Sequence, residues 1–146
     1  MSNSRMKPVW EFSLRRKKVG EALGPLNTPA DALEMLLGLE LHAQGHEHIV
    51  SVALSQTNHV LGIYTVALAP WLRTGEVFRA AIVMEASRVL LAHSKPSGPL
   101  TPSAVDFAMI MKLAEVGDLI GIKLIDHLLL GDPEAYFSFR EAGHLC

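Results

Sequence analysis

The sequence predicts an α/β fold, an α+β sandwich in which helices cover both faces of a mixed sheet. Three observations carry this expectation. Stretches of strand period alternate with stretches of helical period along the 146 residues, the pattern of layered domains. Two neighbouring strand-like stretches, Glu47 to Leu54 and Val60 to Leu68, flank the turn-prone Ser55-Gln56-Thr57-Asn58 and read as a hairpin, so the sheet is not all parallel. Hydrophobic residues make up 49% of the chain and charged residues 19%, enough material for one core in a chain whose length suits one domain.

Taken in order, residues 1–8 form an N-terminal extension and residues 9–146 the domain. Val9 to Leu14 alternates Trp10, Phe12 and Leu14 against Val9, Glu11 and Ser13, which predicts a first strand. The basic run Arg15 to Lys18, before Gly20, Gly24 and Pro25, reads as a solvated connection. Thr28 followed by Pro29 and Asp31 opens a helix running to about His42, with Leu33, Leu36, Leu37 and Leu41 on its buried stripe. After the hairpin, Thr74 to Ala86 predicts a second helix with Val77, Ala80, Ala81 and Met84 inward. Arg88 to Ala92 is a short buried strand. Thr101-Pro102 repeats the cap-and-proline start, and the helix from Pro102 to about Leu119 is apolar nearly all round, which predicts a central element. Ile122 to Leu130 reads as a strand, and Tyr136 to Phe139 as an edge strand.

Thirteen Lys and Arg against 15 Asp and Glu give a net charge of -2, so no broad positive field recruits phosphate, and a nucleic-acid role needs a local patch. No stretch approaches the roughly 18–20 apolar residues of a membrane span. Met1 to Lys7 is polar and leads into no secretory h-region, so a cytoplasmic protein is expected. Cys146, the single cysteine, excludes an internal disulfide.

The chemistry-bearing stretch is His93-Ser94-Lys95-Pro96-Ser97-Gly98, followed by Ser103 and Asp106. His93 and Lys95 are two apart at a strand end and point one way, and Ser103 and Asp106 are three apart at a helix start and share a face. A short loop brings the four together. This spacing resembles the JAMM motif of the JAB/MPN zinc metallopeptidases, and the surroundings are similar to the bacterial RadC branch. Arg73-Thr74-Gly75-Glu76-Val77-Phe78-Arg79, Pro96-Ser97-Gly98, Thr101-Pro102-Ser103, Leu119-Ile120-Gly121-Ile122, Asp126-His127 and Ser138-Phe139-Arg140-Glu141 carry the likeness, which covers Val9 to Leu145.

The resemblance implies a JAB/MPN-like, cytidine-deaminase-like fold, zinc as cofactor, and a peptide or protein as substrate or partner. It also implies roles: His93 and Asp106 as metal ligands, Glu47 as general base and Ser103 as oxyanion donor. Three protein ligands leave a zinc position for a water whose pKa falls to about 7. Lys95 departs from this pattern, standing where the family has its second histidine. An ammonium has no lone pair, and deprotonating a lysine at pH 7 from a pKa of about 10.4 costs about 4.6 kcal/mol.

The expectation is therefore a RadC-like domain with a degraded metal site, in which Lys95 pairs with Asp106 or Glu47 and metal hydrolase activity is weak or lost. The alternatives are an active JAMM hydrolase with an atypical ligand set and the DNA-repair role implied by the RadC name, against which the negative charge argues. A second metal site at His42, His46 and His48 is disfavoured, because His46 and His48 face away from Glu47 and a helix end intervenes near Gly45. Asp126 and His127 point to opposite faces of a strand, and His127 reads as a hydrogen-bonded structural histidine. The apolar share leaves room for a homodimer.

Overall fold

The computed structural model describes residues 6–13, 15–21, 24–39, 47–66, 73–96, 99–131 and 135–146. It contains α1 (Pro29–Gly38), β1 (His48–Leu54), β2 (Val60–Val66), α2 (Thr74–Val83), β3 (Arg88–Ser94), α3 (Ala104–Ile120), β4 (Lys123–Leu130) and β5 (Tyr136–Ser138). The five strands form one mixed sheet in the order β2-β1-β3-β4-β5. β1 pairs antiparallel with β2 and β3, β3 runs parallel to β4, and β5 closes the far edge antiparallel to β4. The parallel step is the one made through a helix, α3, as a crossover requires.

Because successive strand residues face opposite sides, the sheet feeds two cores. Ile49, Ala53, Val89, Leu91, Leu124 and Leu129 meet α2 and α3 through Val77, Phe78, Ala81, Ile110 and Leu113. Val50, Val52, Leu54, Leu90, Ala92 and Leu128 meet α1 through Ala32, Met35 and Leu36. The central strands β1, β3 and β4 are buried on both faces, which explains why they read as apolar runs. The predicted layering, with helices on both sides of a mixed sheet, is the observed one.

Several local expectations are corrected. Val9 to Ser13 is not a strand: it lies exposed outside the sheet, because among the described residues no strand stands beside it to pair its backbone. Leu14 lies outside the described residues. The first helix ends at Gly38, short of His42, and buries Ala32 and Met35 besides Leu36; Leu41 lies outside the described residues. β2 is described to Val66, and Ala67 and Leu68 lie outside the described residues; α2 ends at Val83, with Phe78 buried rather than Ala80. β3 continues to Ser94, two residues beyond its expected end. α3 starts at Ala104 and is capped by Ser103, not Thr101. Nor is α3 central: Val105, Met111 and Leu119 are exposed while Asp106, Ile110, Leu113 and Gly117 face the sheet. One face suffices to seat a helix on a sheet, so apolar residues all round did not decide its place.

Gly117 records how close that seat is. A Cβ there would lie 2.4 Å from the Ile122 carbonyl oxygen, so the helix approaches the start of β4 at a distance only glycine permits. Gly121, at φ 77°, then supplies the left-handed C-cap that ends α3. No helix among the described residues is long and apolar enough to cross a membrane.

Candidate functional site

The site lies where β3 ends and α3 begins, at the carboxyl end of the parallel β3–β4 pair, the end at which α/β sheets commonly place their ligands. Ile49 of β1 pairs with His93 of β3, which brings Glu47, just before β1, beside the end of β3. His93 Nε2 lies 2.6 Å from Glu47 Oε1. Across the loop, Lys95 Nζ lies 3.4 Å from Asp106 Oδ2. The sequence-predicted residues Glu47, His93, Lys95, Ser103 and Asp106 thus converge at one place, Glu47 with His93 and Lys95 with Asp106 as two polar pairs and Ser103 at the helix cap.

Ser103 and Asp106 owe their geometry to helix capping. Asp106 N–H donates to Ser103 Oγ at 3.1 Å, and Ser103 N–H donates to Asp106 Oδ2 at 2.8 Å, a reciprocal capping box. The same box joins Thr28 and Asp31 at the start of α1, far from any such cluster. Capping alone therefore accounts for the Ser-x-x-Asp spacing. What sets Asp106 apart is its burial and its ammonium neighbour.

The electrostatics follow from burial. Desolvation pushes the His93 imidazole below its ordinary value, and this outweighs the opposing effect of the Glu47 carboxylate. His93 is therefore neutral at pH 7, donating Nε2–H to Glu47, and the short contact is a hydrogen bond rather than an ion pair. Its Nδ1 is buried without a protein partner among the described residues. Burial also pushes the Asp106 carboxyl up, but the Ser103 backbone and hydroxyl together with the Lys95 ammonium prevail and hold it below the usual carboxylate value. Asp106 is an anion and is paired as one.

His127 was not expected here. It pairs with Leu91 across the parallel β3–β4 ladder, on the same side of the sheet as His93, with ring centroids 6.0 Å apart. It is fully buried, packs against Phe139, and neither ring nitrogen has a hydrogen-bond partner among the described residues, which corrects the expectation of a hydrogen-bonded histidine. Desolvation, with His93 adding to it, lowers its pKa to about 3. Asp126 does point the opposite way, as expected. It accepts from the Ser138 hydroxyl and the Arg140 and His127 backbone N–H groups, pinning the C-terminal turn to β4. The strand pairing that brings His127 to His93 is a tertiary fact with no local signal.

Among the described residues no group of three or more His, Cys, Asp or Glu side chains is arranged to hold a metal. Of the alternative histidine cluster, His42 and His46 lie outside the described residues. A cleft of about 300 Å³ sits on the other side of the sheet, lined by Leu26 to Pro29, Leu90, Ile125, Asp126, Arg140 and Glu141, and none of the five convergent residues lines it.

Compared with known proteins, the chain matches the RadC-like JAB domain family over residues 26–144. The chain belongs to the RadC-like JAB domain family. Curated relatives include the UPF0758 proteins of Caldanaerobacter subterraneus, 35% identical over 124 residues, and Desulfitobacterium hafniense, 33% identical over 124 residues. That of Rubrobacter xylanophilus is 36% identical over 124 residues. Each alignment covers 82% of this chain and 52–54% of the relative, so this RadC-like chain spans about half the length of the curated proteins it matches. Both Lys95 and the five-residue convergence lie inside the matched region.

Proposed function

We propose that this RadC-like JAB domain is a binding module for a peptide or protein, in which an ion pair stands where the JAMM enzymes of the resemblance hold zinc. One observation carries the reading: the Lys95 ammonium lies 3.4 Å from Asp106 Oδ2, with one prospective ligand as its counter-ion. The remaining donor, His93, spends Nε2 on Glu47 at 2.6 Å. A zinc centre needs three or four neutral or anionic donors. His93 and Asp106 supply two, and a third position filled by a cation repels the metal, so this donor set does not fit zinc.

The pairing also has a physical rationale. Asp106 is buried as an anion, and a nearby cation adds to the Ser103 backbone hydrogen bond that already holds it. In a metal-dependent enzyme the metal is that cation. Here Lys95 supplies it from within the chain. Glu47 and Ser103 remain exposed at the rim, where a bound peptide would find an acceptor and a hydroxyl.

Metal analysis of the purified chain and of Lys95→His tests this reading. The expected result is substoichiometric zinc in the unaltered protein and one equivalent in the variant, without any gain of DNA binding in a low-salt shift assay. One equivalent of zinc in the unaltered chain, lost on His93→Ala, would instead establish an active-type centre with an atypical ligand set. Salt-sensitive DNA binding by the unaltered chain would favour the repair-associated reading.

A further inference from the structure

Two features of this molecule fit each other and are left apart. The first is a segment with a strand pattern and no sheet. Val9, Trp10 and Phe12 are 97%, 83% and 78% exposed, although Trp10 and Phe12 alternate with polar residues as on the covered face of a strand. The second is a sheet edge with no strand. Among the described residues β2 pairs with β1 alone. Its seven residues, Val60 to Val66, contain neither charge nor proline, the devices that normally keep an open edge from pairing. The register irregularity lies at the turn end, by Leu54 and Val60, so Gly62 to Val66 presents a regular ladder.

Charge separates the same two parts. Residues 1–18 hold six of the 13 Lys and Arg and one of the 15 Asp and Glu, so this arm carries +5 and the remainder of the chain -7. A basic arm and an acidic body attract each other, and two copies bring each arm to the other's body. The arm is tied to its own domain behind the strand pattern, by Leu26 N–H donating to the Asn58 carbonyl at 2.9 Å and by Gly20 lying against the Leu39 side chain.

We infer that two copies of this chain exchange arms, Val9 to Leu14 of each adding a sixth strand to the open edge of β2 in the other. Exchange is reciprocal and closes on two copies, so each copy covers its partner's β2 edge and the exchange itself does not propagate. Main-chain hydrogen bonds of strand addition supply affinity, and Trp10 and Phe12 supply the anchors. An aromatic side chain buries about 150–250 Å². With four of them, the strand backbones and the aliphatic residues of both arms, the interface passes roughly 1,000 Å², the size a specific contact needs. The acidic body disfavours nucleic acid as the occupant of the same arm.

Sedimentation velocity over a concentration series, with fluorescence of a Trp71→Phe protein in which Trp10 is the only indole, tests the exchange. The expected result is a dimer whose Trp10 emission is blue-shifted. Trp10→Ser with Phe12→Ser is expected to yield monomer, and so is Leu61→Lys with Thr65→Lys on the β2 edge, in the second case with red-shifted Trp10 emission. Trp10 and Phe12 are largely exposed in the single copy, so the arm variant stands as a test even where the edge variant fails to fold. A monomer at every concentration, a dimer that survives the arm substitutions, or blue-shifted Trp10 in a monomer would each overturn the inference.

Discussion

His127 is neutral in the folded protein at any pH above about 3, whereas in the unfolded chain it titrates near 6.5. The unfolded state therefore binds the extra proton as pH falls below 6.5, and stability declines with acidification by up to about 1.4 kcal/mol per pH unit for one such group. His93, also lowered, adds in the same sense. Urea unfolding at pH 7, 6 and 5 is expected to show this decline, and His127→Leu to flatten it; an unchanged slope in the variant would remove His127 as its source. Asp106 has the acid's version of the same sign. Its depressed pKa contributes stability above about pH 4 that is lost as pH falls through its folded value. Lys95→Met should accordingly destabilise by about 1 kcal/mol at pH 7, with the loss shrinking at pH 3, as read by denaturation midpoints.

At the scale of elements, α3 shows how a local signal and a tertiary one divide the work. Its start is written in the sequence, since Ser103 and Asp106 close a capping box that needs only four consecutive residues. The side it buries is not, because apolar residues occur on all sides and the exposed Val105, Met111 and Leu119 look like core. Gly117 is the clearest contact-dependent position. Gly117→Ala gains about 1 kcal/mol of helix propensity yet forces a Cβ to 2.4 Å from Ile122 O. The expected net effect is a loss of about 1–3 kcal/mol, measured as a lower thermal midpoint with native far-UV dichroism. A stabilised variant would mean that helix and strand separate more easily than their packing implies. The predicted strand at Val9 fails for a related reason: alternation marks a face that wants covering and says nothing of which strand pairs with it.

Over the whole molecule, the C-terminal turn is held to the sheet by one buried carboxyl. Asp126 takes three hydrogen bonds, from Ser138, Arg140 and His127, and Phe139 seats on the core beside Phe107 and His127. Asp126→Ala leaves those donors unpaired, so a loss of about 2–3 kcal/mol is expected, with protease cutting first after Leu130. Cutting elsewhere would show that β5 stays docked without the carboxyl. Burial raises the Asp126 pKa, so this group opposes the histidines, contributing stability at low pH that is lost as pH rises through its folded value.

By itself the sequence determined the types of the helices and strands that do form, the hairpin, the mixed sheet with helices on both faces, and the convergence of His93, Lys95, Ser103 and Asp106. These rest on periodicity, caps and a short loop, which act over a few residues. Only the tertiary structure decided that Lys95 faces Asp106, that Glu47 bonds His93, that His127 is buried behind them, and that the arm and the β2 edge are both unpaired among the described residues. Those depend on strand register and on which surfaces meet, and chain-distant residues acquire a mutual geometry only once the sheet has formed.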